Sequence, residues 1–228
     1  MCKVLLVASD PRELTGILAR CRDVAHAGLP VWFARTGTLN GERITAIANG
    51  PGRKLAAAAV EAAPRAEAIV STGWCGALDP ALRPGDVFVA SSVNGAACKQ
   101  PSTTRPHRTG ELASIDRVVT SAEEKHRLHT GNGHSPAAVE MEAAAVARAA
   151  RERGAAFYCI RAVLDTAEES FTLDFNRLRD GQGRFSRPRI LAAGLARPWA
   201  AVPELFRLNA RGRLCSRALG DFFADCRF

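Results

Sequence analysis

No stretch of this chain comes near the roughly 20 consecutive apolar residues that a membrane-crossing helix needs, so a spanning segment is not expected. The opening run Val4-Leu5-Leu6-Val7-Ala8 is too short and too lightly flanked by charge for a secretory leader, and reads as a first buried strand. There is no Cys-x-x-Cys. Seven scattered cysteines (Cys2, Cys21, Cys75, Cys98, Cys159, Cys215 and Cys226) argue for reduced thiols in a cytoplasmic setting and against a disulfide framework. His126 and His129 stand one helical turn apart with His134 beyond, but no carboxylate or cysteine pattern accompanies them, so no metal is expected. Cys75 has no recognisable histidine partner and reads as a buried thiol rather than a nucleophile. The turn Asn49-Gly50-Pro51-Gly52 lacks the third glycine of a dinucleotide fingerprint and fits no Walker pattern. No cofactor follows from the sequence. Internal repeats are absent, and so are a reading motif and an aromatic platform for nucleic acid.

What the chain has in surplus is arginine. The net charge of +8 is unevenly placed: from Arg177 to Phe228 eleven Arg face only Asp180, Glu204, Asp221 and Asp225, and the rest is almost balanced. The same segment, about 177–228, sets Leu191, Leu195, Trp199, Val202, Phe206, Leu219 and Phe223 at helical spacings. A basic amphipathic helix of this kind lies on an anionic membrane or receives a partner. The plainer alternative is a C-terminal helix packed on the domain with its arginines in water. Hydrophobic content of 47% over 228 residues is enough for one substantial core, and a single domain over 1–228 is expected.

Short apolar runs alternate with helical patterns, which argues for an α/β fold with a central mixed sheet flanked by helices. Strands are expected at 3–9, 30–34, 43–48, 68–72, 86–92, 115–121 and 156–163, and helices at 11–21, 53–63, 122–128 and 142–153. Asp10-Pro11 reads as an N-cap followed by proline at the first helical position. The glycine-rich stretch 37–41 is expected to turn, and 94–110, rich in Gly, Ser, Thr and Pro, to form an exposed loop able to act as a lid. Beyond Asp165 the chain looks helical, with a break at Asp180-Gly181-Gln182-Gly183.

Chemistry concentrates where strands end. Ala8-Ser9-Asp10-Pro11-Arg12-Glu13 follows the first strand, where α/β sheets place ligands, and offers Glu13 as a base and Arg12 as an anion ligand. Gly50 and Gly52 open a helix whose N–H groups suit an anion. In Ser71-Thr72-Gly73-Trp74-Cys75-Gly76-Ala77-Leu78, Thr72 and Gly73 bring a hydroxyl and backbone donors, while Trp74 and Cys75 form a face for a base. Glu140-Met141-Glu142 stands between an apolar strand end and an alanine-rich helix. Acidic residues there complement a helix dipole, yet Met141 beside Glu142 also suits a sugar with hydroxyls on one face and carbon on the other. Arg161-Ala162-Val163-Leu164-Asp165 closes the last strong strand on a carboxylate, which a bland reading makes an N-cap.

In this order and approximate spacing, the glycine turn, Thr72-Gly73, Arg83-Pro84-Gly85-Asp86, Val139-Glu140-Met141-Glu142-Ala143 and Arg161–Asp165 resemble the nucleoside phosphorylase and nucleosidase superfamily. The finer resemblance is to the hopanoid-associated phosphorylases, carried by 78–86, by Asp116-Arg117-Val118-Val119 leading to Glu124-Lys125, and by the Asp-Gly-x-Gly break; adenosylhomocysteine-type nucleosidases come next. The resemblance implies a phosphorylase-type fold and cleavage of a purine nucleoside, with adenine favoured as the base. It implies Asp165 as the acid that protonates the purine, Met141 and Glu142 as ribose ligands, and Glu13 as the carboxylate that activates water in nucleosidases. Phosphorolysis, with phosphate as co-substrate, is the expected reaction, and hydrolysis the alternative; a binding protein without turnover is a further one. Partners implied are a purine nucleoside and a second copy of the chain completing each pocket, with peripheral contact to the inner membrane if the substrate is lipid-like. Two departures stand out: Leu164 replaces the serine that many members carry, and Ser71 replaces the arginine of hexameric bacterial phosphorylases.

Overall fold

A computed structural model describes residues 2–131, 135–196 and 198–228, with Arg187 followed by its backbone alone. His134 and Arg197 therefore lie outside the described residues. The strand β1 (Val4–Ala8) is buried along its whole length, because it runs parallel between β4 (Glu42–Ala48) and β5 (Ala68–Ala77) with helices on both faces. Outward from β4 the sheet continues through β3 (Phe33–Leu39) to β2 (Arg22–His26). The hairpin between β3 and β4 turns on Asn40 and Gly41, whose φ angles of 53° and 84° fit the two-residue turn that follows the twist of the strands.

On its other side β5 pairs in parallel with β10 (Ala156–Asp165), and its far end pairs with β9 (Ala138–Glu140). From β10 the pairing runs through β6 (Val87–Val93) and β8 (Arg108–Ser114) back to β9, so these five strands close a ring. A short β7 (Ala96–Ala97) edges β6. The sheet is mixed and flanked by helices, as the alternation of patterns predicts.

One face is covered by α1 (Pro11–Leu18) and α6 (Pro198–Phe223), around Leu6, Leu14, Ile17, Leu219 and Phe223. The other carries α2 (Arg53–Ala62) and α4 (Ala143–Glu152), around Leu5, Ile47, Val60 and Val146. Helix α1 begins with a complete capping box: Asp10 caps it, Pro11 opens it, and the Glu13 side chain returns to the cap. The remaining helices are α3 (Ala122–Thr130) and α5 (Arg187–Ala196).

Several expectations need correcting: the strand expected at 30–34 is β3 at 33–39, and helix after Asp165 starts only with α5. The strand expected at 68–72 runs on as β5 to Ala77, so the residues after 72 are strand rather than a strand-end loop. The stretch 115–121 is not a strand: Val119 packs with Leu78, Ala113 and Val139, and Asn176 bonds both the N–H and the C=O of Val118. The strand of that region is β8, which starts inside the expected loop. What remains of 94–110 is no free lid, because the Asp225 carboxylate accepts from Thr103 Oγ1 at 2.8 Å and Thr104 N at 2.6 Å.

The C-terminal half of α6 is an integral helix. Gly212, Cys215, Ser216, Leu219, Gly220, Phe222 and Phe223 recur at helical period and are buried. It crosses α1 at backbone contact distance: a Cβ on Gly16 would lie 1.8 Å from the Ser216 carbonyl oxygen, and one on Gly220 would lie 2.3 Å from that of Gly16. Replacing Gly16 by Ala must therefore drive the helices apart. Gly16→Ala is expected to destabilise the protein by about 3 kcal/mol or more, read as a lowered urea midpoint; an unchanged midpoint would contradict this crossing.

Candidate active site

Arg161 is among the largest fully buried side chains of the described residues, and three carboxylates gather round it. It projects from mid-β10, donating from Nη1 to Thr72 O at 3.0 Å and from Nη2 to Ser71 Oγ at 2.7 Å, and it pairs with Glu140. Its Nη1 also lies 3.7 Å from Glu142 Oε2. Glu140 accepts from the N–H groups of Glu142 and Ala143, so it fastens the start of α4 to the arginine. With Glu140 as its close partner, one guanidinium is left to serve Glu13 and Glu142. Burial pushes the pKa of both above the ordinary carboxylate range, and Arg161 pulls each part of the way back.

Glu13 is 3% exposed and bonded on both oxygens. Its Oε2 accepts from Ser9 N at 2.8 Å, Ser9 Oγ at 3.0 Å and Asp10 N at 3.0 Å, and its Oε1 accepts from Trp74 N at 3.1 Å. The carboxyl group fits because Gly73 has no side chain: a Cβ there would lie 2.7 Å from Glu13 Cδ, and φ is 131°. Glu13 thus completes the cap of α1 and reaches the backbone of β5 with one carboxyl group.

Glu142 stands at the N-cap of α4, and its Oε1 accepts from Gly52 N at 2.8 Å. This bond ties the turn after β4 to the Glu140–Glu142 turn. Met141 is buried beside it, with Sδ 3.6 Å from Arg179 Nη2. Asp165, 5% exposed, ends β10 against Gly76, where a Cβ would be 3.0 Å from Oδ2. Burial raises its pKa and Lys125 opposes the rise. Two carboxyl groups therefore approach one strand through its two glycines, Glu13 at Gly73 and Asp165 at Gly76.

The other anticipated residues fare unevenly. Thr72 is fully buried and its Oγ1 has no partner among the described residues. Arg12 is half exposed, held by Asp10 through two bonds of 3.0 Å, and lies over the Trp74 ring at 5.6 Å. The N–H of Gly50 goes to Ser9 O at 2.9 Å. Trp74 packs towards α6, with Gly212 leaving room for its ring. Cys75 points into the core inside the strand ring, 3.7 Å from Ala162 O, and burial raises its thiol pKa well above the usual value. The geometry puts the Trp74 ring and the Cys75 thiol on packing surfaces, not together on one face for a base. Among the described residues no group of three or more His, Cys, Asp or Glu is placed to hold a metal.

Sequence reasoning missed the lysine behind Asp165 and the cover over the glycine turn. Lys125 is fully buried with Nζ 2.5 Å from Asp165 Oδ2. Arg184 returns over Gly50, donating to Asn49 O and Asn49 Oδ1 at 3.3 Å each, and stacks on Trp32 at 5.4 Å. The break at 180–183 signals the return, since Asp180 Oδ1 accepts from Gln182 N and Arg184 N. Where that turn lands is a long-range matter.

Residues 3–99 and 93–184 match the family model of the Phosphorylase superfamily. The 5'-methylthioadenosine/S-adenosylhomocysteine nucleosidase of Shewanella loihica is 24% identical over 210 residues, spanning 76% of this chain and 90% of its own. That of Shewanella oneidensis is 26% identical over 210 residues, spanning 76% and 88%. Among solved structures, the S-adenosylhomocysteine nucleosidase of Streptococcus pyogenes with 5-methylthiotubericidin superposes with a TM-score of 0.68 at 22% identity, over 96% of this chain and 94% of that one. A futalosine hydrolase mutant of Helicobacter pylori gives 0.66 at 17% identity, over 96% and 97%. These likenesses establish the fold. The matched stretches run through every strand from β1 to β10 and through Glu13, Met141, Glu142, Arg161 and Asp165, so the chain belongs to the phosphorylase superfamily.

Proposed function

We propose that this protein is an enzyme that cleaves the N-glycosidic bond of an adenine nucleoside carrying a 5′-substituent, and that it does so by hydrolysis. The observation that carries the reading is the Glu13 carboxylate, enclosed, held by four donors, set against Gly73 and within the electrostatic reach of Arg161. Breaking the C1′–N9 bond leaves positive charge on the ribosyl ring and negative charge on the purine, so one must be cradled and the other protonated. Asp165 gives its proton to purine N7. Glu13 takes a proton from water as the oxygen attacks C1′. Glu142 accepts from the ribose hydroxyls while Met141 packs on the sugar carbons. The Shewanella nucleosidases support the same substrate class.

Hydrolysis is preferred over the phosphorolysis that the sequence suggests, because three of the groups proposed for phosphate, Arg12, Gly50 and Gly52, already have their donors engaged, which leaves the Thr72 hydroxyl, unpartnered among the described residues. Asp10 holds the Arg12 guanidinium, Ser9 O takes the Gly50 N–H, and Glu142 takes that of Gly52. Adenine release from 5'-methylthioadenosine should then proceed at one rate with and without phosphate and yield the free sugar. A phosphate-dependent rate with a sugar-1-phosphate product would reverse the choice. Asp165→Asn and Glu13→Gln should each lower kcat by about 10²–10⁴-fold, with smaller effects on nucleoside affinity, and near-native turnover in either would remove that residue from the chemistry.

A finer reading concerns the substituent. Leu191, Leu195, Trp199 and Phe206, on α5 and the first half of α6, are 63%, 67%, 94% and 71% exposed, with Arg207, Arg213 and Arg217 also in solvent. No helix among the described residues is long and apolar enough to cross a membrane. An apolar row among arginines suits adsorption to an anionic lipid surface, each cation contributing about 1 kcal/mol, and favours a lipid-like substrate of the adenosylhopane kind. The protein should sediment with anionic vesicles at low salt and be released at high salt. Equal binding to neutral vesicles, or sedimentation with neither alongside a concentration-dependent mass, would transfer the row to another partner or to a second copy of the chain.

A further inference from the structure

Behind Asp165 stands a buried cation that the scheme above does not use. Lys125 comes from the first turn of α3, and its Nζ donates to Asp165 Oδ2 at 2.5 Å, Thr166 O at 2.6 Å and Glu169 O at 3.0 Å. Three acceptors match the three N–H donors of an ammonium, whereas a neutral amine has two and would turn a lone pair on one acceptor. The Phe171 ring lies 5.4 Å away and closes the site from another side. Only one oxygen of Asp165 is taken: Oδ1 accepts from no donor among the described residues.

A structural ion pair does not account for this arrangement on its own, because a buried pair contributes little net stability against its desolvation. We propose that Lys125 is the positioning residue of the purine-side acid, fixing Asp165 with Oδ1 towards the base and tuning how readily that carboxyl gives up its proton. The inference rests on reading Asp165 as the acid. The other groups around the pair are Glu169, held by Arg211 at 2.6 Å and Arg207 at 3.6 Å, and the thiols of Cys75 and Cys215. Burial keeps both thiols protonated. The ammonium is therefore the cation in direct contact with Asp165. Burial favours the neutral carboxyl and Lys125 favours the ionised one. The balance between them sets the pH at which the acid is lost.

The test compares Lys125→Met, which keeps an apolar stem, Lys125→Gln, which keeps a neutral donor, and Lys125→Arg, which keeps the charge. An acid works only while protonated, so kcat/KM for adenine release from 5'-methylthioadenosine falls as pH rises through the Asp165 pKa. Without the ammonium that fall should move to higher pH by about 1–3 units in the Met and Gln variants, and it should stay close to wild type in the Arg variant. Lost orientation should lower kcat at the best pH by about tenfold or more in the Met variant, with little change in KM. An unmoved fall in both neutral variants overturns the proposal. Titration of the isotope-labelled carboxyl carbon of Asp165, assigned by its loss in Asp165→Asn, reads the same shift without turnover. If that resonance moves while no nucleoside is cleaved, the role of Lys125 stands and the nucleosidase reading falls; if it stays, the role of Lys125 falls whatever the activity. Should Lys125→Met fail to fold, the Gln variant decides.

Discussion

The site depends on one buried guanidinium. Arg161 enters the sheet between β5 and β10, where a lone charge costs several kcal/mol to desolvate, and the fold answers with Glu140, Ser71 Oγ and Thr72 O. Because Glu140 also accepts from the first N–H groups of α4, the arginine fixes the direction in which that helix leaves the sheet. Glu142 then falls at the helix cap, within reach of both Arg161 and Gly52. Removing the guanidinium would leave Glu13, Glu140 and Glu142 buried around one point with no cation among them. That is why one side chain of β10 governs the placing of three carboxylates.

Glycines on β5 do the complementary work. A strand of ordinary residues would hold the carboxyl groups of Glu13 and Asp165 away by the width of a side chain; Gly73 and Gly76 let both come down onto the backbone. Each acid still meets a different environment. Glu13 is surrounded by neutral donors of the α1 cap and of Trp74 and feels Arg161 without a direct bond to it, whereas Asp165 is in direct contact with the Lys125 ammonium. Two buried carboxyl groups packed against one strand thereby meet unlike surroundings, the kind of difference by which a site sets the roles of two acids apart.

What the sequence disclosed was local. Asp10-Pro11 with Glu13 at the third helical position is a cap legible from its spacing, and the same spacing places the Glu13 carboxylate. Glu140-Met141-Glu142 is legible because strand end, turn and helix start follow one another within a few residues. Errors arose where distant partners decide. Residues 108–114 carry few apolar side chains and become β8 because β6 and β9 flank them, while of the strand-like pair Val118 and Val119 the first has its backbone taken by Asn176 and the second packs in the core. All five residues of β2 are exposed, so it offers no alternation to find. Lys125 was visible as part of a resemblance and as a charge on a helix, without a partner; its burial against Asp165 is set by how α3 meets the end of β10.

The C-terminal helix shows the same limit on a larger scale. Read for charge, it is a basic tail; read in place, α6 connects the two halves of the site. Ser216 Oγ donates to Arg12 O and accepts from Gly16 N, holding α1 and so the Glu13 cap. One turn earlier Gly212 receives the Trp74 ring, and Arg211 holds Glu169, whose own backbone oxygen accepts from Lys125. Cys215 bonds Val163 O at 3.0 Å, two residues before Asp165. The superfamily match ends at residue 184, short of this helix. Both carboxyl groups are nonetheless braced from it, so the separation between Glu13 and Asp165 is set by where α6 crosses α1 and β10. Its arginines divide accordingly, with Arg211 turned inward to the site and Arg213 and Arg217 left to solvent.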